Sequence, residues 1–91
     1  MKKCYIITFD LKNLGINQQM LIDSIKETKI WARLTPNTYL VISVLSATEL
    51  RNFLLRNLKK GDKIYVGQLR DVAAWYGYGD DIASWIRNNQ K

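Results

Sequence analysis

Histidine is absent from this sequence, and cysteine occurs once. Without histidine the chain lacks the commonest general base and the commonest zinc ligand. Ser–His and Cys–His hydrolase mechanisms are therefore excluded within one chain. A lone Cys4 cannot build an internal disulfide framework; it lies in an apolar run and reads as a small core hydrophobe. No apolar run approaches the roughly 20 residues of a membrane span. The start, Met1-Lys2-Lys3, is basic, but Asp10 and Lys12 arrive too soon for a signal-peptide core. These absences predict a cytoplasmic protein with no membrane partner. Walker loops, dinucleotide glycine fingerprints, EF-hand loops and zinc-ligand spacings are missing too.

What remains is the composition of a folded protein. Of the 91 residues, 47% are apolar and 24% charged, enough for one domain spanning 1–91 and too few for two. A domain of this size has a thin stability margin, which pairing with a second copy would widen. The formal net charge is +6. That favours acidic partners, nucleic acid first among them, although a basic surface also simply aids solubility.

The first apolar run, Lys3 to Leu11, places Cys4 and Ile6 on one alternating face and Tyr5, Ile7 and Phe9 on the other. A strand buried on both sides reads this way. The chain's own helices can cover one face; a second subunit is the simplest cover for the other. Asn13-Leu14-Gly15 is a loop signal. Ile16, Met20, Leu21 and Ile25 follow a helical period over 16–28, with Asn17 a candidate cap. Lys29 to Leu34 is a short strand candidate, Thr35-Pro36-Asn37 a turn, and Thr38 to Val44 a second strongly β-type run, so a hairpin is expected here.

Ser46-Ala47-Thr48-Glu49 is a capping box. Leu50, Phe53, Leu54 and Leu58 mark the buried stripe of the helix it opens. Gly61 suits a left-handed position after that helix. Asp62 to Leu69 reads as a fourth strand, and Val72 to Tyr78 as its extension or a short fifth strand at an edge. Asp80 or Asp81 can cap a terminal helix whose apolar face is Ile82, Trp85 and Ile86. The expected class is α+β: a ferredoxin-like βαββαβ domain with a four-stranded antiparallel sheet and an added C-terminal helix.

Ile6-Ile7-Thr8-Phe9-Asp10-Leu11 resembles the opening strand of the small CRISPR adaptation subunit, the Cas-two family. There an apolar strand ends in an aromatic residue followed by aspartate. The resemblance continues at Asn37 to Val41, at the capped helix from Ser46 to Leu58, and at Asp62 to Val66. The tail, Ala73-Ala74-Trp75 and Ile82 to Ile86, is similar to the SinR-like relatives of that family. The first strand and Asn37 to Leu50 also resemble the antitoxin ribonuclease GhoS, and VapD toxins share the fold. The resemblance implies a homodimer packed through sheet faces. In several members it implies a Mg²⁺-dependent nuclease in which one aspartate from each subunit meets near the two-fold axis. Asp10 is the position that carries over. The arginine- and lysine-rich segment that follows the first strand in that family is here Leu11 to Gln19, with Lys12 its only charge.

Asp10 is accordingly the candidate catalytic and metal-binding residue. A carboxylate at the end of a central strand, doubled by symmetry, could hold Mg²⁺ and activate water for phosphodiester cleavage. A turn aspartate bonded to nearby amides is the plainer reading. Thr8 shares its side of the strand. Asp80-Asp81 reads as a capping pair. Lys12, Arg33, Arg51, Arg56, Lys59, Lys60 and Lys63 are the candidate nucleic-acid contacts, since spaced cations can track a phosphate backbone. The numerous aromatics suit core and interface packing better than base stacking. A different class of function stands beside this one: a non-catalytic module that binds a partner protein in a toxin–antitoxin, CRISPR or mobile-element system.

Overall fold

The structure, a computed structural model, describes residues 1–12, 15–70 and 72–90. Its elements are β1 (Lys3–Asp10), α1 (Ile16–Lys26), β2 (Trp31–Thr35), β3 (Thr38–Ser43), α2 (Ala47–Leu55), β4 (Lys63–Leu69) and α3 (Asp80–Asn89). The four strands form one antiparallel sheet in the order β2-β3-β1-β4. The first strand is thus central. Its two apolar faces, legible in the alternation, each meet a layer of side chains.

On one face Tyr5, Ile7 and Phe9 of β1 join Tyr39 and Val41 of β3. Leu21 and Ile25 of α1 and Leu50 and Leu54 of α2 close over them. On the other face Ile6, Leu34, Leu40 and Leu69 meet Ile82, Trp85 and Ile86 of α3, with Ala32 buried between. The terminal helix of the same chain therefore supplies part of the cover that the sequence pattern left to a second subunit. Cys4 is buried, as expected of a small hydrophobe, and burial pushes its thiol pKa up to about 11. It is therefore held as the neutral thiol at neutral pH.

The capping box forms as read. The Glu49 amide donates to Ser46 Oγ at 3.1 Å, and the Ser46 amide donates to Glu49 Oε1 at 2.9 Å. Other local readings shift. Gly15, not Asn17, precedes α1, and no side chain caps that helix. Gly79 precedes α3, and Asp80 and Asp81 lie in its first turn without a capping bond. Their charges still suit the positive end of the helix dipole. Residues 72–79 form no strand, so the expected extension or fifth strand is absent among them. The loop signal at Asn13 and Leu14 lies outside the described residues.

Two buried tyrosines separate the worth of a hydroxyl from that of a ring. Tyr5 Oη donates to the Leu45 carbonyl at 2.6 Å. Tyr39 Oη is buried with no partner among the described residues. Tyr5→Phe should lower stability by about 1 kcal/mol, while Tyr39→Phe should be neutral or stabilising, because an unpaired buried hydroxyl is itself unfavourable. Urea midpoints measured in parallel check this. Equal losses for both variants would refute the distinction.

Candidate nucleic-acid interface

Asp10 ends β1, is exposed, and pairs in register with Lys63 of β4. Strand alternation sets Thr8 on the same side. Thr8 lies between Thr38 of β3 and Tyr65 of β4 in the ladder, and the two threonine hydroxyls are 3.0 Å apart. Thr8, Phe9, Asp10, Lys63, Ile64 and Tyr65 line a shallow groove of about 200 Å³. Tyr65 is 63% exposed. A Cβ added to Gly67 would come within 2.7 Å of the Tyr65 ring. The missing side chain at Gly67 thus lets an aromatic ring lie along the sheet. The sequence reading did not single out this pair; a tyrosine two residues before a strand glycine was its only trace.

The lysines gather around the same end of the sheet. Asp62, just ahead of β4, accepts the Lys12 amide on Oδ1 at 2.9 Å and the Lys59 amide on Oδ2 at 2.8 Å. Those two backbone bonds, Lys12's first, hold its carboxyl below the ordinary aspartate pKa. The Asp62 amide in turn donates to the Lys59 carbonyl at 3.0 Å. Gly61 takes a positive φ of 92° in this turn. The stem of Lys12 runs across it, with Nζ 3.3 Å from where a Cβ would stand. Gly61 therefore serves the turn before β4, not the end of α2, which closes at Leu55.

The predicted cations part company. Lys12 and Lys59 are tied through their amides to Asp62, a clasp that Lys60 and Lys63 flank in sequence. Arg56 is drawn into the packing of α1 on α2: it pairs with Glu27 at 2.8 Å, donates to Ser24 Oγ at 3.2 Å, and lies over the Phe53 ring at 4.3 Å. Arg51 donates to its neighbour Asn52. Arg33, on edge strand β2, reaches the Pro36 carbonyl and lies over the Tyr39 ring.

One chain supplies a single carboxylate to the groove. Among the described residues no group of three or more His, Cys, Asp or Glu side chains comes together. Magnesium takes hard oxygen ligands, commonly one or two carboxylates with water and phosphate oxygens completing the shell. Asp10 alone offers such an ion one carboxylate. Lys63 beside it suits a phosphate better than a bare cation.

Elsewhere, Ile6, Leu34, Leu40, Leu69, Trp75, Tyr76 and Ile86 contribute to an apolar cleft of about 400 Å³ beneath the 72–79 segment. Tyr76 is 98% exposed. Among the described residues no helix is long and apolar enough to cross a membrane. No family model matches the chain, and no curated protein matches it significantly.

Proposed function

We propose that this chain is a ferredoxin-like, Cas-two-like protein that works as a homodimer and binds nucleic acid at the β1–β4 end of its sheet. Two Asp10 carboxylates then hold Mg²⁺ for slow phosphodiester cleavage. The element order, with β1 central in a β2-β3-β1-β4 sheet, supports the fold. The observation that carries the function is the Asp62 tie, which joins the backbones of Lys12 and Lys59 from two distant segments, next to a groove lined by Lys63, the exposed Asp10 and the exposed Tyr65. Lysines contact phosphates, the tyrosine face is available to a base, and Asp10 is the oxygen donor for the metal. Bound there, the ion would neutralise developing charge on a phosphate and lower the pKa of a coordinated water.

Filter binding of labelled single-stranded RNA and DNA at two salt concentrations tests the reading. Four phosphate contacts predict a log–log salt slope of about −3 for single strands. Absence of binding at low salt would end it. Sedimentation at micromolar concentration should give twice the mass of the 10.6 kDa chain. A clean monomer would mean that α3 suffices as cover for the second sheet face and would remove the paired-aspartate site.

A non-catalytic protein-interaction module is the second reading. The exposed Val72 and Tyr76 beside the apolar cleft favour it. Salt-insensitive or absent nucleic-acid binding by a well-folded protein would turn the choice toward it.

A further inference from the structure

We infer that Asp62 is the positioning residue of a phosphate-backbone site formed by Lys12, Lys59, Lys60 and Lys63, a negative charge that strengthens the binding of a polyanion by fixing its cations. The inference rests on the nucleic-acid reading above and names the contact within it.

The case begins with a conflict of signs. Asp62 holds the amides of Lys12 and Lys59, stands between Lys60 and Lys63 in sequence, and repels any phosphate these lysines attract. Simple Coulomb reasoning says its removal should tighten binding. The geometry argues the other way. Both carboxylate oxygens are engaged, each by a backbone amide, and the two amides belong to segments far apart in sequence: Lys12 after β1 and Lys59 after α2. The carboxylate therefore ties the chain leaving β1 to the turn entering β4. Across that tie the Lys12 stem lies on Gly61, which brings its ammonium onto the turn that carries Lys59 and Lys60. Lys63 begins β4 immediately after the clasp and pairs with Asp10.

Long exposed lysines lose rotamer freedom when they grip a ligand, so a framework that gathers their backbones beforehand reduces the loss. Asparagine at position 62 cannot keep both bonds. Its amide oxygen can accept one backbone N–H, but its nitrogen is itself a donor and faces the second N–H unfavourably. Glycine at 61 is required twice over, by its positive φ and by the Lys12 stem above it.

The test uses the full chain, single-stranded oligonucleotide, and binding isotherms across a salt series, with thermal melts alongside. Asp62→Asn should bind several-fold more weakly despite its gain in net positive charge. Its salt slope should be shallower by about 0.7 for each lysine released. Lys12→Gln keeps the backbone bond to Asp62 and removes the ammonium; it should lose one such increment with an unchanged melt. That variant keeps the site testable if Asp62→Asn melts early. Tighter or equal binding by a folded Asp62→Asn overturns the positioning role. An unchanged slope in Lys12→Gln removes Lys12 from the site and overturns the four-lysine assignment. Failure of the wild-type chain to bind at low salt overturns the nucleic-acid reading itself, and this inference with it.

Discussion

Leu54→Ala is expected to destabilise the fold by about 2–5 kcal/mol. Leu54 is fully buried at 0% exposure, on the face of α2 that closes over Tyr5 and Ile7 of the central strand. Alanine would remove three carbons from a packed layer and leave a cavity that the sheet behind it cannot fill. A domain of this size has a total stability on the order of 5–15 kcal/mol, so the loss is a large share of it. The adjacent Leu55 is exposed, and Leu55→Ala should cost under about 0.5 kcal/mol. Urea unfolding of the two variants side by side makes the comparison. Similar losses would mean that α2 does not bury the face assigned to it.

Where the chain cleaves with Mg²⁺ as proposed, Asp10→Asn should abolish the cleavage while leaving nucleic-acid binding and sedimentation intact. Asparagine preserves the shape and one acceptor oxygen but removes the charge that a hard divalent cation requires. Asp10 is an exposed strand end, so the substitution should cost the fold little. With no histidine in the chain, a metal-free route would fall to lysine, arginine or tyrosine, whose ordinary pKa values are poorly matched to neutral pH. Cleavage that survives in Asp10→Asn, or persists in EDTA, would remove the metal–aspartate mechanism and assign the activity to another site or to a contaminant.

Acid should loosen the clasp. The Asp62 carboxyl, held low by the Lys12 and Lys59 amides, contributes stability that is present above the ordinary aspartate pKa. That contribution is lost as pH falls through the depressed folded value. Because Asp62 is only half-buried at the surface, the effect on global stability is small, and amide exchange at Lys12 and Lys59 is the sensitive measure. Protection that stays constant from neutral pH to pH 3 would contradict it.

Much of the architecture could be read where a local rule and a burial pattern agreed. Lys3–Asp10 alternates so that both sides are apolar, and only a central strand satisfies that. Ser46 and Glu49 mark the start of α2 because their bonds span three residues and need nothing beyond the segment itself. Legibility fails where the partner is distant. Val72 to Tyr78 has strand-like residues, but a strand also needs a neighbour to bond with. Arg56 sits on a basic-looking stretch until Glu27 and Ser24 arrive from α1. The lysine cluster depends on Lys12 meeting residues 59–62, a contact that no periodicity announces. The alternation in β1 showed that its second face needs cover, but could not choose between a second subunit and the terminal helix around Trp85, which takes part of the task.

The place of β1 in the sheet bears on how the chain is made. β1 is one of the two strands that need two neighbours, and one of its neighbours, β4, is the last strand of the sheet in sequence order. A nascent chain that has reached only β3 holds β1 with one side unpaired and with α3 not yet available. Such pairings between remote segments slow folding and expose an apolar edge while they wait. Folding of this sheet is thus expected to wait until β4 is present, and fragments that end before Lys63 should be the species that aggregate.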